Sequence, residues 1–159
     1  MFAELGHWYA IRDGDLRGRR MYDRHYSSVN YQHKRPKLFA GPGEKMILMT
    51  SDGRALFVWR KFKDGSHQHG VNCAIFRNEA PELYLSSDLI REAVRLAAQR
   101  WPAHRFYTYV NPRKVRSTNP GFCFKAAGWR TCGMTKWNRL IILEYDPLRW
   151  SLMAQGAGL

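Results

Sequence analysis

Short apolar runs separated by turn-forming residues recur along the chain and predict a series of β-strands. Ser51-Asp52-Gly53, between the first two runs, is a hairpin signal. The last run is continuously apolar, which is typical of a buried strand. The predicted strands are 46–50, 55–60, 71–76, 105–110 and 140–145.

A long helix is predicted between the third and fourth of these strands. Its apolar residues recur at helical spacing, and it is expected to run from about Asp88 to Arg100. Pro102 ends it, because proline cannot continue a helix. Ser86 and Ser87, just before it, are residues that commonly cap a helix start.

A second, short helix is predicted between the last two strands, over Phe122–Ala127. Asn119 suits its N-cap, and Pro120 suits its first position, where no backbone donor is needed. Gly128 is placed to end the helix in a left-handed conformation.

The order of these elements is a β-hairpin, a strand, a long helix, a strand, a short helix and a strand. A chain of 159 residues is long enough for one domain with one core. We therefore expect a single α+β domain (of α/β character) over residues 1–159, with a mixed, mostly antiparallel sheet flanked by helices. The core of that domain is expected at 46–145.

The charge of the chain indicates its partner. Lysine and arginine number 26 against 13 acidic residues, which gives a formal net charge of +13. Such an excess on a small domain favours nucleic acid or an anionic surface as the partner, although it could serve solubility alone. Of these we expect nucleic acid, in the form of a DNA duplex. The residues predicted to contact nucleic acid are Arg113, Lys114, Arg116, Lys125, Arg130 and Lys136.

Aromatic side chains near this basic loop leave two interpretations open. Tyr107, Tyr109 and Trp129 could stack on bases beside the cations. Alternatively, the tyrosines face the core and the cations are only solvated.

The cysteines and histidines give little sign of a disulfide or a metal. Cys73, Cys123 and Cys132 are odd in number and form no CxxC motif, which suits a reducing cytoplasm. His67 and His69 with Cys73 have metal-binding residue types, but no second cluster completes a ligand set, so this metal site is the weaker alternative.

No apolar run approaches membrane-spanning length, and residues 1–10 lack the apolar core of a signal peptide.

Two polar clusters are candidates for chemistry. Arg24 is followed by His25, Tyr26 and Ser27, which offer an imidazole and two hydroxyls for proton transfer, or else form a surface turn. Arg77-Asn78-Glu79 follows an apolar strand, where polar residues often line a site. There Glu79 could act as a general base and Arg77 could hold an anion, or the segment could be a solvated loop.

The end of the chain resembles the GNAT acyltransferase superfamily. Asn119, Phe122 or Phe124, and Ala127-Gly128-Trp129 match its last motif, and the order of elements over 46–145 matches its topology. The resemblance implies that Asn119 lies near an acyl donor. Because neither aromatic is a tyrosine, Cys123 or an upstream group would replace the usual acidic hydroxyl.

The loop before the long helix departs from that superfamily. GNAT enzymes bind the coenzyme A pyrophosphate with a glycine-rich loop, whereas residues 77–88 contain no glycine. Side chains would hinder close approach of a pyrophosphate to the backbone, so acetyl-CoA is a doubtful cofactor and the small-molecule donor stays unknown.

A narrower resemblance is to phage-encoded DNA-modification transferases of the Mom type, which are GNAT-like and lack that loop. The segments that carry it are 24–27, 77–79, 86–93 and 119–124. It implies a transferase that moves an acyl or aminoacyl-like group onto a DNA base, in the host cytoplasm if phage-encoded. The alternatives are a coenzyme A-dependent N-acetyltransferase and a non-enzymatic nucleic-acid-binding module.

In this fold class the N-terminal segment, here the basic and aromatic residues 1–45, covers the cleft. The expected catalytic residues are His25, Tyr26, Ser27, Glu79, Asn119 and Cys123. The expected substrate-binding residues are Arg24, Arg77, Asn78, Ser86, Ser87 and Arg91.

Overall fold

The computed structural model describes residues 6–25, 38–63, 67–115 and 118–148. Within these ranges the chain forms seven strands and three helices, which confirms the mixed α+β class. The strands are β1 (Trp8–Ile11), β2 (Glu44–Thr50), β3 (Ala55–Lys61), β4 (Val71–Asn78), β5 (Phe106–Val110), β6 (Arg130–Met134) and β7 (Ile141–Tyr145). The helices are α1 (Leu16–Arg24), α2 (Ser86–Arg100) and α3 (Phe122–Ala126).

The elements β1, α1 and β6 are additional to those that the hydrophobic pattern predicts. Helix α1 buries only Gly18 and Met21, so it has almost no apolar stripe. It begins where Asp15 accepts hydrogen bonds from the amides of Arg17 and Gly18. Strand β6 is mostly exposed, and its pairing with β7 rather than its composition defines it.

The strand order in the sheet is β1-β2-β3-β4-β5-β7-β6. Among the described strands, β4 and β5 form the one parallel pair, and the long helix α2 connects them. This pair is hydrogen-bonded only from Val71 to Cys73 on β4, although β4 continues to Asn78. A register shift against β3 leaves Ala74 as an extra residue, since Trp59 pairs with Cys73 and Val58 pairs with Ile75. The bulge lies where β4 leaves β5.

One face of the sheet packs against α2 and α3. The indole nitrogens of two fully buried tryptophans donate to carbonyls of α2: Trp8 to Leu89 at 2.8 Å and Trp59 to Ala93 at 3.0 Å. These bonds pair the polar atom of each indole inside an apolar core. The opposite face is covered by α1, through Met21, and by the segment containing Ala40.

The end of α3 confirms the prediction for Gly128. Its φ is +96°, the Gly128 amide donates to Lys125, and the Trp129 amide donates to Phe124, both at 3.0 Å. The rings of Phe124 and Trp129 also pack with centroids 4.9 Å apart. This is a Schellman ending with its accompanying apolar contact.

The start of α3 differs from the prediction. The helix begins at Phe122 with Gly121 at the cap, in the left-handed region at φ +77°, so Pro120 lies outside it. The Asn119 carbonyl, rather than its side chain, accepts from the amide of Phe122. A tight turn therefore precedes the helix, and the Asn119 side chain accepts from Lys125 Nζ at 2.8 Å instead.

A buried ion pair joins the beginning of β5 to β7. Arg105 Nε donates to Glu144 Oε2 at 2.6 Å, and both side chains are less than 9% exposed. Arg105 also donates to the carbonyl of His69 just before β4, and Arg130 donates to the other carboxylate oxygen of Glu144. The ion pair therefore stabilises the end of the sheet at which the paired parts of β4 and β5 begin.

None of the helices in the described ranges has the length and apolarity needed to cross a bilayer.

Candidate functional site

A cavity of about 560 Å³ lies where β4 and β5 separate. Its size is in the range of small-molecule sites. The described residues that line it are His25, Asn72, Cys73, Ala74, Phe76, Thr108, Tyr109, Val110, Asn111, Arg113, Lys114, Val115, Gly121, Cys123, Phe124, Asn138 and Leu140.

Both faces of the sheet contribute to this cavity. Cys73 and Phe124 belong to the core beneath α2 and α3, whereas His25 follows α1 on the opposite face. The separation of β4 from β5 therefore leaves a gap in the sheet that is lined from both faces. Of the predicted catalytic residues, the structure brings His25 and Cys123 together in this lining.

His25 is buried, with 9% of its surface exposed. Burial lowers its pKa to about 4, the charge of Arg77 acts in the same direction, and the Phe76 carbonyl opposes them. The imidazole is therefore neutral at neutral pH, and it can accept a hydrogen bond but is a weak proton acceptor. Tyr26 and Ser27 lie outside the described residues.

Two thiols line the cavity, and both are protonated at neutral pH. Burial raises the pKa of the Cys123 thiol and also that of Cys73. A thiol with a raised pKa is a poor nucleophile, because the thiolate is the reactive form. Cys123 is thus better suited to donating a proton than to attacking a substrate.

The mouth of the cavity is basic. Arg113 and Lys114 line it and are exposed, and no acidic residue is present among the described lining residues. The Arg113 guanidinium donates to the Asn138 carbonyl at 3.0 Å, and its amide donates to Asn111 Oδ1 at 3.1 Å. These bonds order the loop that carries the two cations. Arg116 lies outside the described residues.

The aromatic residues near this loop separate into two groups. Tyr107 and Trp129 are 1% and 3% exposed, so they belong to the core and are not available to stack on bases. Tyr109 is half-buried and lines the cavity with its ring 5.7 Å from that of Tyr107. The alternative in which the tyrosines face inward is therefore closer to the structure.

Several polar residues of the lining are not among the residues predicted from the sequence: Asn72, Thr108, Asn111 and Asn138. Asn111 directly follows β5, and polar residues at a strand's carboxyl end are a recognisable signal. Thr108 donates to the Cys73 carbonyl at 2.9 Å across the parallel pair. Asn72 lies within β4, and no local signal distinguishes it from any other polar residue of a strand.

Glu79 has a structural role that differs from the predicted general base. Arg24 donates two hydrogen bonds of 2.7 Å to its carboxylate, and Arg77 donates a third of 2.6 Å. These bonds lower the pKa of Glu79 to about 2, so it is a very weak base. It also lies outside the described lining of the cavity.

The same cluster positions His25. Arg77 Nη1 donates to the Arg24 carbonyl at 2.8 Å, immediately before His25 in the chain. Arg24 and Arg77 are thus held by Glu79 and the backbone rather than presented to a substrate. Together they attach the end of α1 to the end of β4 and fix His25 over the gap.

The loop between β4 and α2 is stabilised by hydrogen bonds among its own residues. Asn78 Oδ1 accepts from the Ala80 amide, and the Ala80 carbonyl accepts from the amides of Leu83 and Tyr84. Asn78 Nδ2 donates to Ser86 Oγ at 3.0 Å. Asn78 and Ser86 therefore stabilise the loop, and these engaged amides are not available to cradle a pyrophosphate.

The start of α2 also differs from the prediction. The helix begins at Ser86 rather than Asp88, and its cap, Leu85, makes no side-chain hydrogen bond. Ser87 is buried. Arg91 donates to Asp88 and, at 2.6 Å, to the Ala126 carbonyl at the end of α3, so it connects two helices.

The remaining predicted residues lie outside the described lining of the cavity. Asn119 is exposed and bonded to Lys125. Arg130 is paired with Glu144, and the Lys136 ammonium lies 5.6 Å from the ring of the exposed Trp137. Lys125 and Lys136 are thus exposed on the outer surface, whereas Arg130 is half-buried beside Glu144.

The weaker metal alternative has no support in the geometry. His67 and His69 are exposed and lie outside regular secondary structure, whereas Cys73 is buried in β4. Within the described ranges, no group of three histidine, cysteine or acidic side chains is close enough together to hold a metal ion.

Comparison with known proteins finds no matching protein-family model, no matching curated protein and no matching solved structure. The basis for a function is therefore the cavity, its polar side chains and the charge of the chain.

Proposed function

We propose that this protein is a GNAT-like transferase that moves an acyl or aminoacyl-like group onto a DNA base. The observation that carries the proposal is the cavity at the separation of β4 and β5, with His25, Tyr109 and Cys123 in its lining. Polar groups that converge on one concave pocket are the usual mark of an active site.

The strand arrangement supports the GNAT-like part of the proposal. GNAT topology splays the sheet between the strand before the long helix and the strand after it. Here β4 and β5 flank α2, pair in parallel over three residues, and then diverge. The departure from the superfamily is that the short helix carries Cys123 between two phenylalanines, with no tyrosine.

The side chains suit transfer of an acyl group to an amine. In such a step the amine nitrogen forms a bond to the carbonyl carbon, the bond to the leaving group breaks, and the amine proton ends on the leaving group. Neutral His25 can accept a hydrogen bond from the attacking amine. Cys123, protonated because burial raises its pKa, can donate toward the leaving group.

The charge supports DNA as the acceptor. A formal charge of +13 and two cations at the cavity mouth favour a phosphate backbone beside the site. A base within a duplex cannot reach such a cavity, so the nucleotide would have to leave the stack.

Mass spectrometry of nucleosides from cells with and without the gene tests this function. We expect one nucleoside of increased mass in DNA from cells that carry the gene. His25→Ala and Cys123→Ala should abolish it, whereas Cys132→Ala, at an exposed cysteine on β6, is the matched control and should retain it. Identical nucleosides with and without the gene would contradict the proposal.

A coenzyme A-dependent N-acetyltransferase is the second candidate, because the position of the cavity fits it equally well. The engaged amides of the β4–α2 loop weigh against it. Calorimetric titration with acetyl-CoA distinguishes the two candidates, and micromolar binding would favour this second one. Salt-sensitive DNA binding without any transfer would instead favour a non-enzymatic binding module.

A further inference from the structure

Trp137 differs from the other tryptophans that the structure describes. Trp8, Trp59, Trp101 and Trp129 are at most 4% exposed, whereas Trp137 is 86% exposed. It lies in the turn between β6 and β7, residues 135–140. A single exposed ring is common on protein surfaces, so its surroundings decide whether it has a binding partner.

Hydrogen bonds hold this turn in one shape. The Thr135 amide donates to the Leu140 carbonyl, and the Leu140 amide donates to Thr135 Oγ1, both at 2.8 Å. Between them Arg139 has the left-handed conformation, at φ +52°, which commonly closes a short hairpin loop. The Lys136 ammonium lies 5.6 Å from the Trp137 ring. A ring that is ordered before binding loses less conformational entropy when a partner covers it.

The turn also forms part of the cavity wall. Asn138 and Leu140 belong to the described lining. The Arg113 guanidinium donates to the Asn138 carbonyl at 3.0 Å, which joins the turn to the basic loop at the mouth. Trp137 precedes Asn138 directly, and neighbouring Cα atoms are about 3.8 Å apart, so Trp137 lies beside the mouth of the cavity.

The surroundings of the ring are basic. Lys136 and Arg139 flank Trp137, and both are exposed. Along the chain, no aspartate or glutamate occurs between Glu92 and Glu144. A ring among cations fits nucleic acid, in which a negative backbone borders flat bases. A lipid surface fits less well, because membrane-binding segments present several apolar residues on one side, whereas the tip of this turn has one.

We infer that Trp137 is a wedge that enters the DNA base stack in place of the nucleotide bound in the cavity. When a nucleotide leaves the stack, the base pairs on either side lose their stacking contacts, and an inserted ring restores part of them. The cavity and the ring belong to adjacent residues, so one protein surface can receive the base and fill the gap that it leaves. The inference rests on the proposed function, because it requires DNA as the acceptor.

Two labelled duplexes of one sequence test this role by fluorescence anisotropy at a single salt concentration. One is intact, and the other has a single abasic site. The abasic site already lacks the base that would have to leave the stack, and it offers the ring a gap. We expect the wild-type protein to bind the abasic duplex about tenfold more tightly than the intact one, as stacking of one ring on bases should give.

Four variants separate the ring from the charge beside it. Trp137→Ala should lose the preference and bind the intact duplex within about twofold of the wild type, because the phosphate contacts stay. Trp137→Phe keeps a ring and should keep most of the preference. Phe62→Ala is the matched control, at a ring that is 40% exposed, directly follows β3 and lies outside the described lining; it should behave as the wild type does. Lys136→Gln should weaken both duplexes alike and keep the preference. Circular dichroism and thermal unfolding confirm that each variant is folded.

Equal affinity of the wild-type protein for the two duplexes, or a preference that Trp137→Ala retains, would overturn the inference. Binding to vesicles of phosphatidylcholine and phosphatidylserine that Trp137→Ala loses, with both duplexes bound as by the wild type, would assign the turn to a lipid surface and also overturn it.

Nucleoside mass spectrometry separates this inference from the proposed function. A preference for the abasic duplex that depends on Trp137, without any modified nucleoside, would refute the transferase alone. Unchanged modification of DNA by Trp137→Ala would refute only the wedge.

Discussion

Because the imidazole of His25 is buried, the stability of this protein depends on pH in a range in which few other side chains titrate. Its pKa in the folded chain is about 4, against 6.5 for an ordinary histidine. Between these values the unfolded chain binds a proton that the folded chain excludes, so stability falls as pH falls through this window. Arg77 is the charged group that disfavours protonation, and Glu79 does little to relieve it because Arg24 and Arg77 already neutralise the carboxylate.

The magnitude follows from the two pKa values. Proton linkage with a pKa of 6.5 unfolded and about 4 folded costs about 2 kcal/mol at pH 5 relative to pH 7.5. The loss approaches about 3 kcal/mol below pH 4. Glu79, with its pKa lowered from 4.5 to about 2, adds a further loss as pH falls from 4.5 toward 2, so a comparison at pH 5 reports mainly on His25.

Urea denaturation at pH 7.5 and pH 5 measures this cost, with tryptophan fluorescence as the signal. We expect the wild-type free energy of unfolding to fall by about 2 kcal/mol, and that of His25→Gln to change by much less. His104→Gln is the matched control, at a partly exposed histidine outside the cavity, and it should behave as the wild type does. Equal pH dependence in the wild type and His25→Gln would refute the placement of a buried, neutral imidazole.

Three further predictions concern the scaffold and DNA. Glu144→Gln should lower the free energy of unfolding by about 3 kcal/mol in urea denaturation, because it leaves the buried Arg105 without its anion; equal stability would contradict the burial of this pair. Gly70→Ala should prevent folding, or lower the free energy of unfolding by more than about 3 kcal/mol, as followed by circular dichroism. The reason is that the φ of Gly70 is +112° and a Cβ there would collide with the backbone oxygen of Arg105. Fluorescence anisotropy with a DNA duplex should show affinity falling as salt rises, and Arg113→Gln with Lys114→Gln should reduce the logarithmic slope by about 2; affinity that does not change with salt would argue against DNA as partner.

Local patterns were sufficient for the elements that bury a recognisable apolar surface. Helix α2 has its apolar positions at helical spacing, and five of the strands are short apolar runs. Gly128 could be assigned from sequence because a left-handed helix end has a local steric requirement that glycine meets best. Such preferences act between residues a few positions apart, so the sequence displays them directly.

Elements without such a surface escaped prediction. The helix α1 has four arginines among its nine residues and depends on a cap at Asp15 and on burial of Met21 against the sheet. Strand β6 depends on its partner β7. For both, tertiary contacts supply the stabilisation that intrinsic propensity does not.

In the candidate site, too, some properties follow from the sequence and others depend on the tertiary structure. The sequence by itself determined that His25 and Cys123 have suitable chemistry and that the chain is strongly basic, because these are properties of the residues. Only the tertiary structure decided that Glu79 is held by Arg24, which lies 55 residues away in the chain, and is therefore a very weak base. The cavity itself exists because two parallel strands, joined through α2, pair over three residues and then diverge. That divergence results from the closing of long loops and from the geometry of the sheet. Neither can be predicted from the pattern of neighbouring residues.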